Sequence, residues 1–204
     1  MEYKDKLTKI NSLTPEVSVF HPFLQELFTR MPTFSKVIYN QGTQEFGADF
    51  ILESTGKFKK VEYSGVIVKC GKITQSSLQE VDRQVSECFL MERLIEGGLT
   101  QVRITDAIII TNEKISGNAK QLINRNHKDK SITFLEADDL ISLVDEYYES
   151  YWDNENIFLG KFLETQKSKA KNLCINNILH FDSEVNYVEV KIRAKKLMNN
   201  NPKL

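Results

Sequence analysis

Two side chains, one carboxylate and one lysine, carry the most chemistry this chain offers. Asp49 stands in Gly47-Ala48-Asp49, and Lys69 closes the run Gly65-Val66-Ile67-Val68-Lys69 twenty residues on. A lysine ending an apolar run is costly to bury unless a carboxylate partners it, and Asp49 is the natural partner. Such a pair has two uses. It can be a plain structural ion pair. Alternatively the carboxylate can give an oxygen to a hard divalent cation, while the ammonium orients a water, helps deprotonate it and offsets developing charge. Hydrolysis of a phosphodiester asks for that combination: a Lewis acid on the phosphate, an activated water and charge stabilisation at the pentacovalent stage.

The stretch that must position the pair is 47–74, GADFILESTGKFKKVEYSGVIVKCGKIT. Its two short apolar runs, 48–53 and 62–69, are bounded by Gly47, Gly56, Gly65 and Gly71, the pattern of a β-hairpin. Strand side chains alternate faces, so Asp49, Ile51 and Glu53 share one face of the first strand, and Ile67 and Lys69 share one face of the second.

Around the hairpin the pattern alternates between helix and strand. Phe20, Phe23, Leu24, Leu27 and Phe28 fall at helical spacing and predict an amphipathic helix over 20–30, ended by Met31-Pro32. The 1–19 segment ahead of it is polar and mixed, with Pro15 placed to open a helix at its first turn. A first strand is expected at 35–39. Leu78, Val81, Val85, Cys88 and Phe89 predict a helix from 77 to about 95, stopped by Gly97-Gly98. The continuous apolar run 104–111 predicts a strand buried on both faces. A helix from Ser116 or Asn118 to Ile123, a strand at 131–135 and a helix over 136–148 complete an α-β-β-β-α-β-α-β-α order. Beyond 149 the character changes: 150–155 is polar, 158–170 reads as a helix, 186–193 alternates like a strand, and the asparagine-rich tail carries no packing signal.

Gly47-Ala48-Asp49 followed by Val66-Ile67-Val68-Lys69 resembles the G-x-D … (E/Q)-x-K signature of the PD-(D/E)xK nucleases, and within them the Mrr-like restriction endonucleases. The likeness runs from roughly Phe23 to Tyr148. It is similar also to the nuclease effectors at the front of STAND-type NTPases in antiviral defence. The resemblance implies an α/β fold, a restriction-endonuclease-like mixed sheet with flanking helices. The expected organisation is such a domain over 1–149 and a small α+β accessory segment, or the start of a further domain, over 150–204. It also implies Mg²⁺, with Mn²⁺ as a substitute, held by Asp49 and by the backbone carbonyl of Val68, with Lys69 acting on the water.

One position departs from the signature. Ile67, two before the lysine, cannot bind a metal, so a further oxygen ligand must come from Glu45, Glu53, Gln84 or Glu87. Glu45, just before the strand, and Gln84, beside the sheet-facing stripe of its helix, are the preferred candidates. His21, His127 and His180 are scattered, with His21 expected at solvent or a helix start. GxxxxGK[ST], GxSxG and HExxH motifs are absent.

Composition narrows the class. With 41% hydrophobic and 27% charged residues the chain is of ordinary globular type. No apolar run approaches the ~18 residues of a membrane span, and MEYKDKLTKI lacks a signal-peptide stretch, so a cytoplasmic location is expected. Three cysteines without a CxxC argue against a disulfide framework or a zinc knuckle. A net charge of −1 weighs against tight autonomous binding of nucleic acid. Lys57, Lys59, Lys60, Lys69 and Lys72 are either a phosphate-facing rim or solvated turn lysines. The aromatic residues Tyr147, Tyr148, Tyr151 and Trp152 are expected to pack a C-terminal piece rather than to stack on bases.

The resulting expectation is a Mg²⁺-dependent DNA endonuclease acting on double-stranded DNA. It would be the effector of a bacterial anti-phage or restriction system, active as a homo-oligomer or when clustered by a larger sensor. The alternative is a catalytically degenerate module of the same fold that docks DNA or a protein.

Overall fold

The protein was analysed as a computed structural model, which describes residues 1–40, 46–90, 92–95 and 100–153, apart from the side chain of Lys57. Its elements are α1 (Tyr3–Asn11), a single π-helical turn (Glu16–Phe20) running into α2 (His21–Arg30), β1 (Phe34–Tyr39), β2 (Phe50–Thr55), β3 (Val61–Lys69), α3 (Leu78–Leu90), β4 (Arg93–Ile95), β5 (Thr100–Val102), β6 (Asp106–Thr111), α4 (Gly117–Asn126), β7 (Ser131–Leu135) and α5 (Ala137–Tyr147). They belong to one compact unit, Met1–Trp152. The segment expected as an accessory piece lies, from residue 154 on, outside the described residues.

Five strands form one sheet in the order β1-β2-β3-β6-β7. β1 and β2 pair antiparallel, as do β2 and β3, while β3–β6 and β6–β7 are parallel. The parallel pairs need crossovers, which α3 and α4 supply on one face. The other face is covered by α1, α2 and α5. This is a mixed five-stranded sheet with flanking helices, the α/β architecture expected from the sequence.

Alternation along the central strands feeds two cores. Phe50, Leu52, Val66, Val68 and Ile110 join Phe20, Leu24, Leu27 and Phe28 of the α2 side with Leu140 and Val144 of α5. Ile51, Ile67, Ala107 and Ile109 join Val81, Val85 and Cys88 of α3 with Ala119 and Ile123 of α4. Burying each of these large side chains contributes on the order of 1.5–3 kcal/mol, which is why a strand with no polar face is stable here. Gly65 lies where α3 crosses β3, and a Cβ there would overlap the Cys88 Sγ.

One expectation needs correction. The helix expected over 77–95 ends at Leu90, and Arg93–Ile95 instead pairs antiparallel with Thr100–Val102. The reason is Arg93, which is buried. Its guanidinium donates to the Cys88 carbonyl at 2.9 Å and the Phe46 carbonyl at 2.5 Å, so it closes the last helical turn from outside the helix. The expected stop, Gly97-Gly98, lies outside the described residues. Tyr148, Tyr151 and Trp152, expected to pack a C-terminal piece that from residue 154 on lies outside the described residues, are buried within this unit against its N-terminal helices. Phe23 meets Tyr151 at 4.8 Å between ring centroids, Lys9 lies 4.6 Å over Tyr151, and Arg30 lies 4.1 Å over Tyr148.

The N-terminal helix is tied to α5 by charge. Asp138 accepts from Tyr3 and from Lys114 (3.0 Å), and Asp145 accepts from Lys6 and Trp152, each at 2.6 Å. Those bonds hold both carboxyls below the ordinary range, the Tyr3 bond first for Asp138 and the Lys6 bond first for Asp145. A folded value below the unfolded value of about 3.9 adds stability above that pH and loses it as pH falls through the folded value. The double substitution Asp138→Asn with Asp145→Asn is therefore expected to lower stability at neutral pH and to flatten its decline in acid, read by urea melts between pH 2 and 7. Gly65→Ala should cost about 1–3 kcal/mol in the same assay. That cost should shrink when Cys88→Ala removes the opposing sulfur, a coupling read from the four-variant cycle.

Candidate functional site

The open end of the hairpin, where β2 begins and β3 ends, is pinned by Asp49. Its amide donates to the Val66 carbonyl at 2.7 Å, and its carbonyl accepts from the Asn40 amide at 2.8 Å. The side chain adds a third tie: Oδ2 accepts the Val68 N–H at 2.7 Å. The chain reaches this point through Gly47, whose φ of +79° and close packing on the Gln84 carbonyl leave no room for a side chain.

The other half of the site comes from the segment between α1 and α2. The His21 N–H bonds the Glu16 carbonyl, so the two residues are joined by an i→i+5 turn. In an α-helix, positions five apart point about 140° away from each other; a π-turn stacks them one above the other. Glu16 and His21 consequently meet the same end of the sheet. Glu16 Oε2 accepts the Cys70 N–H at 3.0 Å, and its Oε1 lies 4.0 Å from Lys69 Nζ. The His21 ring is 3% exposed, with Nε2 4.0 Å from Asp49 Oδ1 and Nδ1 sharing a hydrogen bond with the Tyr39 hydroxyl at 3.1 Å. One ligand atom from each of Glu16, His21 and Asp49 lies within 4.8 Å of the others. Two carboxylates and an imidazole at that spacing fit a divalent cation, with Lys69 beside them.

A buried polar network holds the segment before Glu16. Asn112, fully buried, donates through Nδ2 to the Asn11 carbonyl at 2.8 Å and accepts the Gly71 N–H at 2.7 Å through Oδ1. Thr111 donates to the Gly71 carbonyl at 2.5 Å, and the Cys70 thiol to the Leu13 carbonyl at 3.3 Å. Burial, then Glu16, pushes the Cys70 thiol up to about 11, and burial does the same to Cys88. Both sulfurs are neutral at physiological pH and offer no nucleophile.

The sequence candidates land differently from one another. Asp49 and Lys69 stand at the same end of the hairpin, with Glu16 as the ion-pair partner of Lys69. Val68 meets Asp49 through its amide. Ile67 is wholly buried among α3 and α4 and faces core. Gln84 lies against Gly47, and its Oε1 is buried without a hydrogen-bond partner among the described residues. Glu53 accepts from Ser35 at 2.7 Å, and Glu87 is paired with Arg83 on an exposed helix face. Glu45 lies outside the described residues.

The lysines divide. Lys59 and Lys60 sit at the hairpin tip, about 20 Å along β2 from Asp49 at ~3.4 Å per residue, so only Lys69 and Lys72 flank this end. Sequence reading missed Glu16; it placed His21 at solvent or a helix start, and His21 does open α2 but is buried at the site rather than exposed. Pro15 marked a helix start, but helical spacing does not pair residues five apart.

No family model matches the chain, and no curated protein matches it. Among solved structures it is similar to the MspJI restriction endonuclease in complex with a 27-mer oligonucleotide, with a TM-score of 0.41 and 14% identity over 69% of this chain. This chain spans 30% of the length of that one.

Removing the network's centre tests how the site is held. Asn112→Ala leaves the Gly71 amide and the Asn11 carbonyl without their partner, and should cost about 1–3 kcal/mol. Amide exchange at Cys70 and Gly71 is expected to accelerate. Unchanged protection at Gly71 would show that the loop is held by other means.

Proposed function

We propose that this chain is a metal-dependent endodeoxyribonuclease that hydrolyses phosphodiester bonds in double-stranded DNA. The observation that carries the reading is the convergence of Glu16, His21 and Asp49 beside Lys69 at the open end of a hairpin. Asp49 and Glu16 supply carboxylate oxygens, Glu16 taking the part of the acid missing at Ile67. The Val68 carbonyl, Gln84 and Glu45 are the further oxygen donors this reading allows. A divalent cation bound there, Mg²⁺ or Mn²⁺, would polarise the phosphate and acidify a water. Lys69 orients that water and offsets charge on the phosphorane, while Glu16 fixes the position of its ammonium.

The finer parts rest on the sequence resemblance: an Mrr-like nuclease, an effector in a cytoplasmic anti-phage or restriction system, activity gained on oligomerisation, and an accessory role for 150–204. Among the described residues no helix is long and apolar enough to cross a membrane. The second reading, a silent module of the same fold, is favoured by Ile67, an isoleucine at the position where the signature has its acid or amide.

Plasmid cleavage at high protein concentration with Mg²⁺ or Mn²⁺ separates the two. Wild type should cut, Asp49→Ala and Lys69→Ala should each fall by at least about a hundredfold, and Glu16→Gln by about tenfold or more. Each variant is checked by thermal melting. Absence of cutting by wild type under forced clustering would leave the silent module.

A further inference from the structure

We infer that His21 is itself a metal ligand, through Nε2, and that this makes the site selective for a first-row transition dication of the Mn²⁺ kind over Mg²⁺. The inference rests on the metal-dependent reading of the site and names which cation it takes. Mg²⁺ is hard and keeps oxygen donors and waters, whereas an imidazole suits transition metals. An imidazole placed among carboxylates therefore shifts preference along the series in which Mn²⁺ is the first and hardest member.

Three features of His21 suit ligation. Donors about 2.1 Å from one ion lie about 3–4 Å from each other, and Nε2 is 4.0 Å from Asp49 Oδ1 within a three-residue set no wider than 4.8 Å. The ring cannot swing away. It is held edge-on against Tyr39 and Phe50, with centroids at 5.6 Å and 5.4 Å, and is 3% exposed. Its far nitrogen is engaged, since Nδ1 bonds the Tyr39 hydroxyl at 3.1 Å. A ligating histidine characteristically has its other ring nitrogen bonded in this way, which sets the tautomer and the ring's aim. In the tautomer whose Nδ1–H donates to the Tyr39 hydroxyl, Nε2 presents its lone pair towards Asp49 and Glu16. The rival arrangement is a protonated His21 that merely pairs with Asp49 and leaves the cation to oxygen donors.

The test is Mn²⁺ binding to the full chain without DNA. Free Mn²⁺ is counted by room-temperature EPR, Mg²⁺ is added as competitor, and bound Mn²⁺ is examined by electron spin-echo modulation for a directly coordinated nitrogen. Wild type should bind one Mn²⁺, resist displacement by at least a tenfold higher Mg²⁺ concentration and show nitrogen-14 modulation. His21→Asn should weaken Mn²⁺ by about tenfold or more while changing Mg²⁺ affinity far less. Tyr39→Phe, which keeps the packing and removes the hydroxyl, should weaken Mn²⁺ by a smaller factor. The spin-echo readout needs only wild type, so an unfolded variant does not void the test. Mn²⁺ binding that Asp49→Ala abolishes, but that lacks nitrogen modulation and is matched by Mg²⁺, would overturn the role of His21 and leave the nuclease reading standing. No Mn²⁺ binding by wild type, or binding indifferent to Asp49→Ala, would overturn both.

Discussion

Helices cover both faces of β3 and strands flank both its edges, so the chemistry near it is confined to its end. Ser64, Val66, Ile67 and Val68 are buried, and alternation sends the two valines to the α2–α5 side and Ile67 to the α3–α4 side. A carboxylate at position 67 would face Val81 and Val85 and be desolvated there at a cost of several kcal/mol. The isoleucine contributes to the core instead. Chemistry at this strand must accordingly be assembled past Val68, where the sheet stops and other segments can reach in.

Two such segments arrive by different means. Asp49 comes along the sheet, its carboxylate fixed by the amide of Val68, so its place follows from hairpin register. Glu16 and His21 come from outside the sheet, on a π-turn leading into α2. That turn is held at one end by the aromatic packing of Phe20 and Phe23 and at the other by Asn112 and the Cys70–Gly71 loop. A cation bound by both segments would bridge them, adding its binding free energy to the docking of the N-terminal segment.

The N-terminal helices also explain the burial of Tyr148, Tyr151 and Trp152. The same rings, expected to pack rather than to stack on bases, are covered by Lys6, Lys9 and Arg30, whose ammonium and guanidinium groups lie over the aromatic faces. These contacts connect the last helix of the unit to the segment that carries Glu16. The site's geometry is thus coupled to a part of the chain far from the hairpin.

By itself the sequence determined the elements whose signals are local. Helical spacing marked α2, α3 and α5, and continuous apolar runs marked β3 and β6. Two glycine-bounded runs marked the hairpin, and with it Asp49 and Lys69 as the residues able to do chemistry. Tertiary structure alone decided what joins them. Glu16 and His21 are brought to one point by a turn of i→i+5 spacing, which no 3.6-residue periodicity shows. The end of α3 at Leu90 depends on Arg93 reaching back to Cys88 and Phe46. Periodicity reports which face of an element is buried. Which ends of different elements meet depends on long-range packing, and in this protein the candidate site is made wholly of such ends.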